Sequence, residues 1–147
     1  MDHEIDDKRL AAAIVLLERF VRDIYPAKQS SAIQPLQWSI LRYVSRMPPD
    51  RCEVRWIAKF LGLTRAPVTR AIATLEARKL IAQAVSDVDA RTKTVALTPL
   101  GVGALAEDPI ILTAERIRVL SAKDQEQFVK AIRSISLNFG SIDDEKH

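Results

Sequence analysis

The chain is poor in the residues that build metal, nucleotide and disulfide sites. Of its 147 residues, one is cysteine (Cys52), two are histidine (His3 and His147) and four are glycine. A lone cysteine closes no intrachain disulfide, and two histidines at opposite ends of the sequence give no zinc-ligand spacing. Gly62, Gly101, Gly103 and Gly140 match neither G-x-G-x-x-G nor G-x-x-x-x-G-K-[ST], which removes the phosphate-cradling nucleotide loops. There is no Ser/His/Asp or Cys/His set, and the clustered carboxylates, Asp6-Asp7 and residues 143–145, lie near the two ends. No enzyme, catalytic residue, cofactor or metal is therefore expected. The longest apolar run, residues 10–17, falls far short of the roughly 20 residues that cross a bilayer. Residues 1–8 are acidic where a secretory leader is basic, so a cytoplasmic protein without a membrane partner is expected.

What is present suits one globular core: 48% hydrophobic and 28% charged residues in a chain of ordinary domain length. The net charge of +3 is unevenly placed. Residues 51–93 hold nine basic and four acidic groups, a local +5, whereas residues 1–24 and 94–147 each sum to −2. Residues 25–50 add +2. A charge run is most often a solvated face, but a central basic block flanked by near-neutral helices also suits a polyanion-binding unit.

Periodicity places the elements. Leu10, Ala13, Ile14, Leu17, Phe20, Val21 and Ile24 recur at helical spacing, giving an amphipathic helix over residues 7–25 that Pro26 ends. A loop over 27–34 precedes a helix from Pro35 to about Met47, the Pro-Pro pair at 48–49 breaks it, and a short helix follows over 54–61. Gly62 supplies a left-handed stop, and Thr64 is placed to cap a fourth helix over 65–78 whose core face is Val68, Ile72 and Leu75. Ala66, Arg70, Ala73 and Ala77 lie on its opposite face. Two β-rich runs, 81–86 and 92–97, form a hairpin with its tip at 87–91. Thr98 caps a helix from Pro99 that is kinked or interrupted at Pro109 and reaches about Leu120. Ser121 and Asp124 open a last helix that uses Phe128, Ile132 and Ile135, and residues 141–147 read as a disordered acidic tail.

Two short helices joined by a three-residue turn and followed by a basic hairpin have the layout of a winged helix-turn-helix. The run Gly62-Leu63-Thr64-Arg65-Ala66-Pro67-Val68-Thr69-Arg70, then Leu75-Glu76, Leu80-Ile81, Asp89-Ala90-Arg91 and Leu97-Thr98-Pro99-Leu100-Gly101, resembles the MarR family of bacterial transcription regulators. The shared pieces are a small-residue turn, V-T-R in the recognition helix, D-x-R in the wing and L-T-x-x-G entering the fifth helix. The fold expected is mainly α with a small β-hairpin wing. Residues 34–98 make the DNA-binding unit, and residues 1–33 and 99–140 make N- and C-terminal dimerisation helices.

Physical roles follow for the charged and polar side chains. Arg65, Thr69 and Arg70 face a major groove about 12 Å wide, where arginine reads guanine. Arg91, oriented by Asp89, suits a minor groove of negative potential, and the resemblance gives the wing arginine that role. Thr64 and the helix N-terminus suit a phosphate. The alternative for Asp89 and Arg91 is a local ion pair, and both roles can coexist. Lys93 is a DNA-contact candidate too, although for it, Arg55 and Lys59 phosphate contact and plain surface are equally open. Trp38, Trp56 and Phe60 read as core or intersegment packing. Arg51 and Arg55 near Cys52 would favour a reactive thiolate, but an inert thiol is the favoured reading. The sequence departs from the family pattern at Lys79, where glycine is common after the recognition helix, and at Pro67.

The expected function is that of a homodimeric repressor on a pseudo-palindromic site in double-stranded DNA. The resemblance adds a small aromatic effector that weakens DNA binding. The alternative is a winged-helix protein–protein interaction module without sequence-specific DNA binding.

Overall fold

The computed structural model describes residues 4–25 and 32–143. In chain order these form α1 (Asp7–Asp23), α2 (Pro35–Arg46), a 3-10 turn (Pro49–Arg51), α3 (Val54–Leu61), α4 (Arg65–Ala77), β1 (Ile81–Val85), β2 (Lys93–Leu97), α5 (Pro99–Leu105), α6 (Pro109–Ile117) and α7 (Ala122–Asp143). The chain divides into a unit up to Pro109 and a unit from Ile110. Pro26 and most of the loop expected over 27–34 lie outside the described residues, as do residues 144–147.

The core of the first unit is built by α2, α3, α4 and the hairpin. Pro35 stands in the first turn of α2, and the Gln37 side chain accepts the Gln34 N–H at 3.0 Å, closing a capping box. From there α2 buries Trp38, Ile40, Leu41, Tyr43 and Val44. Helix α3 ends at Gly62, whose φ of +66° is the left-handed conformation that glycine adopts without steric penalty. The next N–H, that of Leu63, closes the turn on the Ala58 carbonyl at 3.0 Å. Helix α4 then packs on α2 and α3 through Val68, Ala71, Ile72 and Leu75.

Thr64 stands at the N-cap of α4, but its hydroxyl makes no capping hydrogen bond. A cap accepts from the second or third helical N–H, and Pro67, the third residue here, removes one of those two donors. At the other end, Lys79 takes φ +61°, and the Leu80 N–H closes back on the Leu75 carbonyl at 3.0 Å. The left-handed turn is therefore kept without glycine, at a cost of about 1–2 kcal/mol.

Strands β1 and β2 pair antiparallel, with Ile81 opposite Leu97 and Val85 opposite Lys93, each one residue shorter than expected at the tip. Only Ile81 and Val95 of this pair are buried. A third extended segment, not anticipated, lies on β2: Glu53 bridges Thr94, and the Val95 N–H donates to the Cys52 carbonyl at 2.8 Å.

Thr98 ties the wing to the next helix. Its hydroxyl accepts the Gly101 N–H at 3.1 Å, capping α5, and donates to the Lys79 carbonyl at 2.6 Å. A Cβ on Gly101 would collide with the Leu80 carbonyl oxygen, so the glycine of L-T-x-x-G is required by close backbone approach rather than by its own φ. The helix expected over 99–120 is interrupted after Leu105 and resumes at Pro109. In the break, Asp108 is buried and receives Arg42 on both oxygens, from Nε at 2.6 Å and Nη2 at 2.7 Å, while Nη2 also donates to the Tyr25 hydroxyl at 2.8 Å. Burial alone would lower the Arg42 pKa, but these hydrogen bonds outweigh it and raise it.

Outside this core the helices are less covered. Asp6 caps α1, accepting the Lys8 N–H at 3.3 Å, yet no α1 residue is buried. Helix α6 buries none either, although its Ala114 and Ile117 line a shallow cleft with Phe128 and Val129 of α7. Helix α7 opens as expected, with the Asp124 N–H donating to the Ser121 hydroxyl at 3.1 Å, and it runs to Asp143. Residues 141–143 are thus helical rather than part of a disordered tail, because no proline or capping turn stops the helix after Gly140. Among the described residues no helix is long and apolar enough to cross a membrane.

Candidate nucleic-acid interface

Four of the seven predicted contact residues meet in one place. Arg65 and Thr69 of α4 and Arg91 and Lys93 of the wing line a common groove of about 360 Å³. Glu53, Val54, Arg55, Gln83 and Thr92 complete it. The groove carries four basic side chains and one acid, Glu53, which is itself paired with Arg55 at 2.8 Å. The surplus of positive charge, facing an open cleft between a helix and a hairpin, suits a polyanion.

Arg70 and Thr64 are exposed but lie outside this groove. On a helix with 100° per residue, Arg70 sits about 140° around from Arg65, on the α4 face lined by Ala66, Ala73 and Ala77. Those alanines are all exposed, so Arg70 projects from a shallow, small-residue surface. The Thr64 hydroxyl makes no capping bond, has no hydrogen-bond partner among the described residues and is open to a ligand oxygen.

The wing tip is a hydrogen-bonded structure in its own right. Ser86, buried at its base, accepts the N–H groups of Val88 and Asp89 at 3.2 and 3.4 Å, and the Asp89 carbonyl accepts both the N–H and the hydroxyl of Thr92 at 3.0 Å. On this frame Asp89 takes the Arg91 guanidinium in a fork, Nε to Oδ1 at 3.1 Å and Nη2 to Oδ2 at 3.3 Å, and Oδ1 also accepts the Arg91 N–H at 3.0 Å. These hydrogen bonds, with Arg55 nearby, hold the Asp89 carboxyl below its ordinary pKa. The Arg91 side chain nevertheless stays 90% exposed, so the pair aims the guanidinium without burying it.

Sequence reading missed three contributors. Gln83 faces the groove from β1, and its N–H donates to the Glu76 carboxylate at 2.9 Å, clamping wing to recognition helix. Glu53 becomes part of the groove only through its bridge to Thr94, a pairing of residues far apart in sequence. Ser86 carries no sequence signal beyond its place next to the tip. The expected aromatic packing divides. Trp38 is in the core, Phe60 meets the Tyr43 ring at 5.0 Å yet stays 65% exposed, and Trp56 is half-buried. Cys52 is buried, its thiol directed at the Met47 carbonyl at 3.6 Å, and burial together with Asp50 pushes its pKa up, against the lowering that Arg51 and Arg55 suggested.

Residues 33–92, the helices, turn and wing that make this groove, match the model of the MarR family. Over this segment the chain is similar to the MarR family. Solved MarR-type structures share its fold. One is AbsC, a MarR family transcriptional regulator from Streptomyces coelicolor, at 18% identity and a TM-score of 0.72 over 95% of this chain and 99% of that one. The MepR–DNA complex of S. aureus matches at 22% identity and a TM-score of 0.65, covering 92% and 99% of the two chains. BpsR of Bordetella bronchiseptica, whose DNA binding is regulated by 6-hydroxynicotinic acid, matches at 25% identity and a TM-score of 0.61, covering 85% and 98%. The MarR motif pieces thus fall on α3, α4, the wing and the Thr98–Gly101 cap, each with a structural reason of its own.

Proposed function

We propose that the chain is a cytoplasmic, homodimeric transcription repressor that occupies a pseudo-palindromic site in double-stranded DNA. The observation that carries this reading is the groove joining Arg65 and Thr69 of α4 to Arg91 and Lys93 of the wing, within a MarR-family segment. In this reading α4 enters the major groove, with Arg70 and Arg65 at base edges and Thr69 beside them. The forked Arg91 lies in the adjacent minor groove, and Thr64 and Lys93 take phosphates. A twofold dimer sets two such helices about one turn of DNA apart. The MepR–DNA complex supports binding to DNA, and BpsR, whose DNA binding is regulated by 6-hydroxynicotinic acid, supports regulation by a small aromatic effector.

The test is selection of bound fragments from genomic DNA, followed by binding isotherms on the recovered site. Arg70→Ala should weaken the selected site by about 1–3 kcal/mol and relax preference at one position. Arg91→Ala should weaken it most where the flank is A·T-rich. Affinity for the selected site should fall steeply with salt, because phosphate contacts release counterions. Recovery of no selective site, or binding of a protein partner with little salt dependence, would replace this reading with that of an interaction module.

A further inference from the structure

A second cationic grouping stands beside the groove, organised by an aromatic ring. The guanidinium carbons of Arg51 and Arg55 lie 4.5 and 4.8 Å from the centroid of Trp56, and the Lys59 ammonium lies 5.8 Å from it. All three distances fall within the roughly 6 Å over which a ring face attracts a cation. Arg51 precedes α3, and Arg55 and Lys59 stand one turn apart within it, so the ring gathers charge from two elements. Of the three, Arg55 is paired, with Glu53, while Arg51 and Lys59 are exposed and have no ion-pair partner among the described residues.

Gathering like charges at a surface is unfavourable through their mutual repulsion, and an approaching polyanion relieves it. Arg55 belongs to both groupings, lining the groove and lying over Trp56, so it links the basic groove to the cations on and before α3. In a helix-turn-helix the first helix crosses the DNA backbone while the second reads the groove. We propose that Arg51, Arg55 and Lys59, held around Trp56, form a second strip of contacts to the phosphates flanking the major groove that α4 reads. This rests on the DNA-binding reading above and adds to it a sequence-independent share of affinity and a longer footprint.

The strip differs from the groove in what its removal should do. Arg51→Gln with Lys59→Gln should weaken a selected duplex and a scrambled duplex by the same factor, leaving their ratio unchanged. It should also flatten the dependence of log K on log salt by about 0.9 for each phosphate no longer neutralised, hence by nearly two per bound protomer. Arg70→Ala, by contrast, should change the ratio. Protein labelled with 5-fluorotryptophan gives an independent readout: of its two 19F resonances, that of Trp56, assigned with Trp56→Phe, should shift when scrambled duplex is added, and that of Trp38 should not. An unchanged slope in the folded double variant, or a Trp56 resonance unmoved by duplex that the protein binds, overturns the strip while leaving the DNA-binding reading intact. A wild-type protein that binds no duplex overturns both.

Discussion

Helices α4 and α1 carry similar patterns of apolar residues and meet opposite fates. In α4, Val68, Ala71, Ile72 and Leu75 are buried against α2 and α3, and the helix leaves a polar, small-residue face outward. In α1, Leu10, Ile14 and Leu17 remain 49%, 64% and 42% exposed, and Val15, Leu16 and Val21 are half exposed or more as well. Helix α6 repeats the pattern with Ile111 and Leu112, and α7 with Ile135 and Leu137. Fully covering one such side chain is worth about 1.5–3 kcal/mol, so these helices leave much of their stabilisation unmade in a single chain. The winged helix is a finished core. The outer helices each leave an apolar face exposed, which a second copy of the chain would cover in the proposed dimer.

The comparison breaks most severely if α1 tolerates charge. Ile14→Lys with Leu17→Lys places four lysines in a twofold interface and removes burial worth on the order of 6 kcal/mol or more. Light scattering should then give half the wild-type mass, while the far-ultraviolet spectrum keeps the helices of the winged-helix core. A double variant that stays dimeric would show that α1 takes no part in assembly.

Ion pairs sharpen the same contrast. Arg42 and Asp108 are mostly buried, with side chains 19% and 5% exposed, whereas Arg22 and Glu18 on α1 are 69% and 66% exposed at 3.4 Å. Removing one partner of a buried pair leaves an uncompensated charge, so Asp108→Asn should cost about 3–5 kcal/mol in a urea melt, towards the lower figure because Arg42 retains some contact with water. Glu18→Gln should cost less than about 1 kcal/mol, since exposed pairs are screened. Equal destabilisation at the two sites would mean that the Arg42–Asp108 pair is not the anchor of the α5–α6 break.

How legible these regions were in the sequence follows from the range of the interactions involved. The limits of α3 were readable because Gly62 and the Pro-rich turn act on their own neighbours. The core face of α4 was readable because Val68, Ile72 and Leu75 report a local period. The Arg91–Asp89 fork spans two residues and was equally open to inspection. By contrast, the partner of Arg42 lies 66 residues away, and nothing local in Asp108 distinguishes it from a solvated carboxylate before a proline. Glu53 and Gln83 enter the groove only through pairings across the hairpin and α4. Thr64 shows one local rule weakened by another, since Pro67, the third residue of the helix, removes one of the two N–H groups a capping hydroxyl would accept from.

Lys79 gives the smallest effect and one whose sign separates the regions. Its backbone is held in the left-handed conformation by two partners: the Leu80 N–H closes on Leu75 at 3.0 Å, and the Thr98 hydroxyl donates to the Lys79 carbonyl at 2.6 Å. Because the turn is fixed by its surroundings, a residue with a Cβ is strained there, and Lys79→Gly removes about 1–2 kcal/mol of strain. Glycine also gives the unfolded chain more freedom, which takes back about half of that gain. The net expectation is a stabilisation of up to about 1 kcal/mol, read as a higher urea midpoint with an unchanged slope. At Arg19, within α1, the same exchange of a long cation for glycine should destabilise by up to about 1 kcal/mol, because there the conformation is helical and glycine is the poorer fit. If both exchanges destabilise, the wing-side turn is not held in place by Thr98 and Leu75, and the link between the recognition helix and the wing is looser than these hydrogen bonds imply.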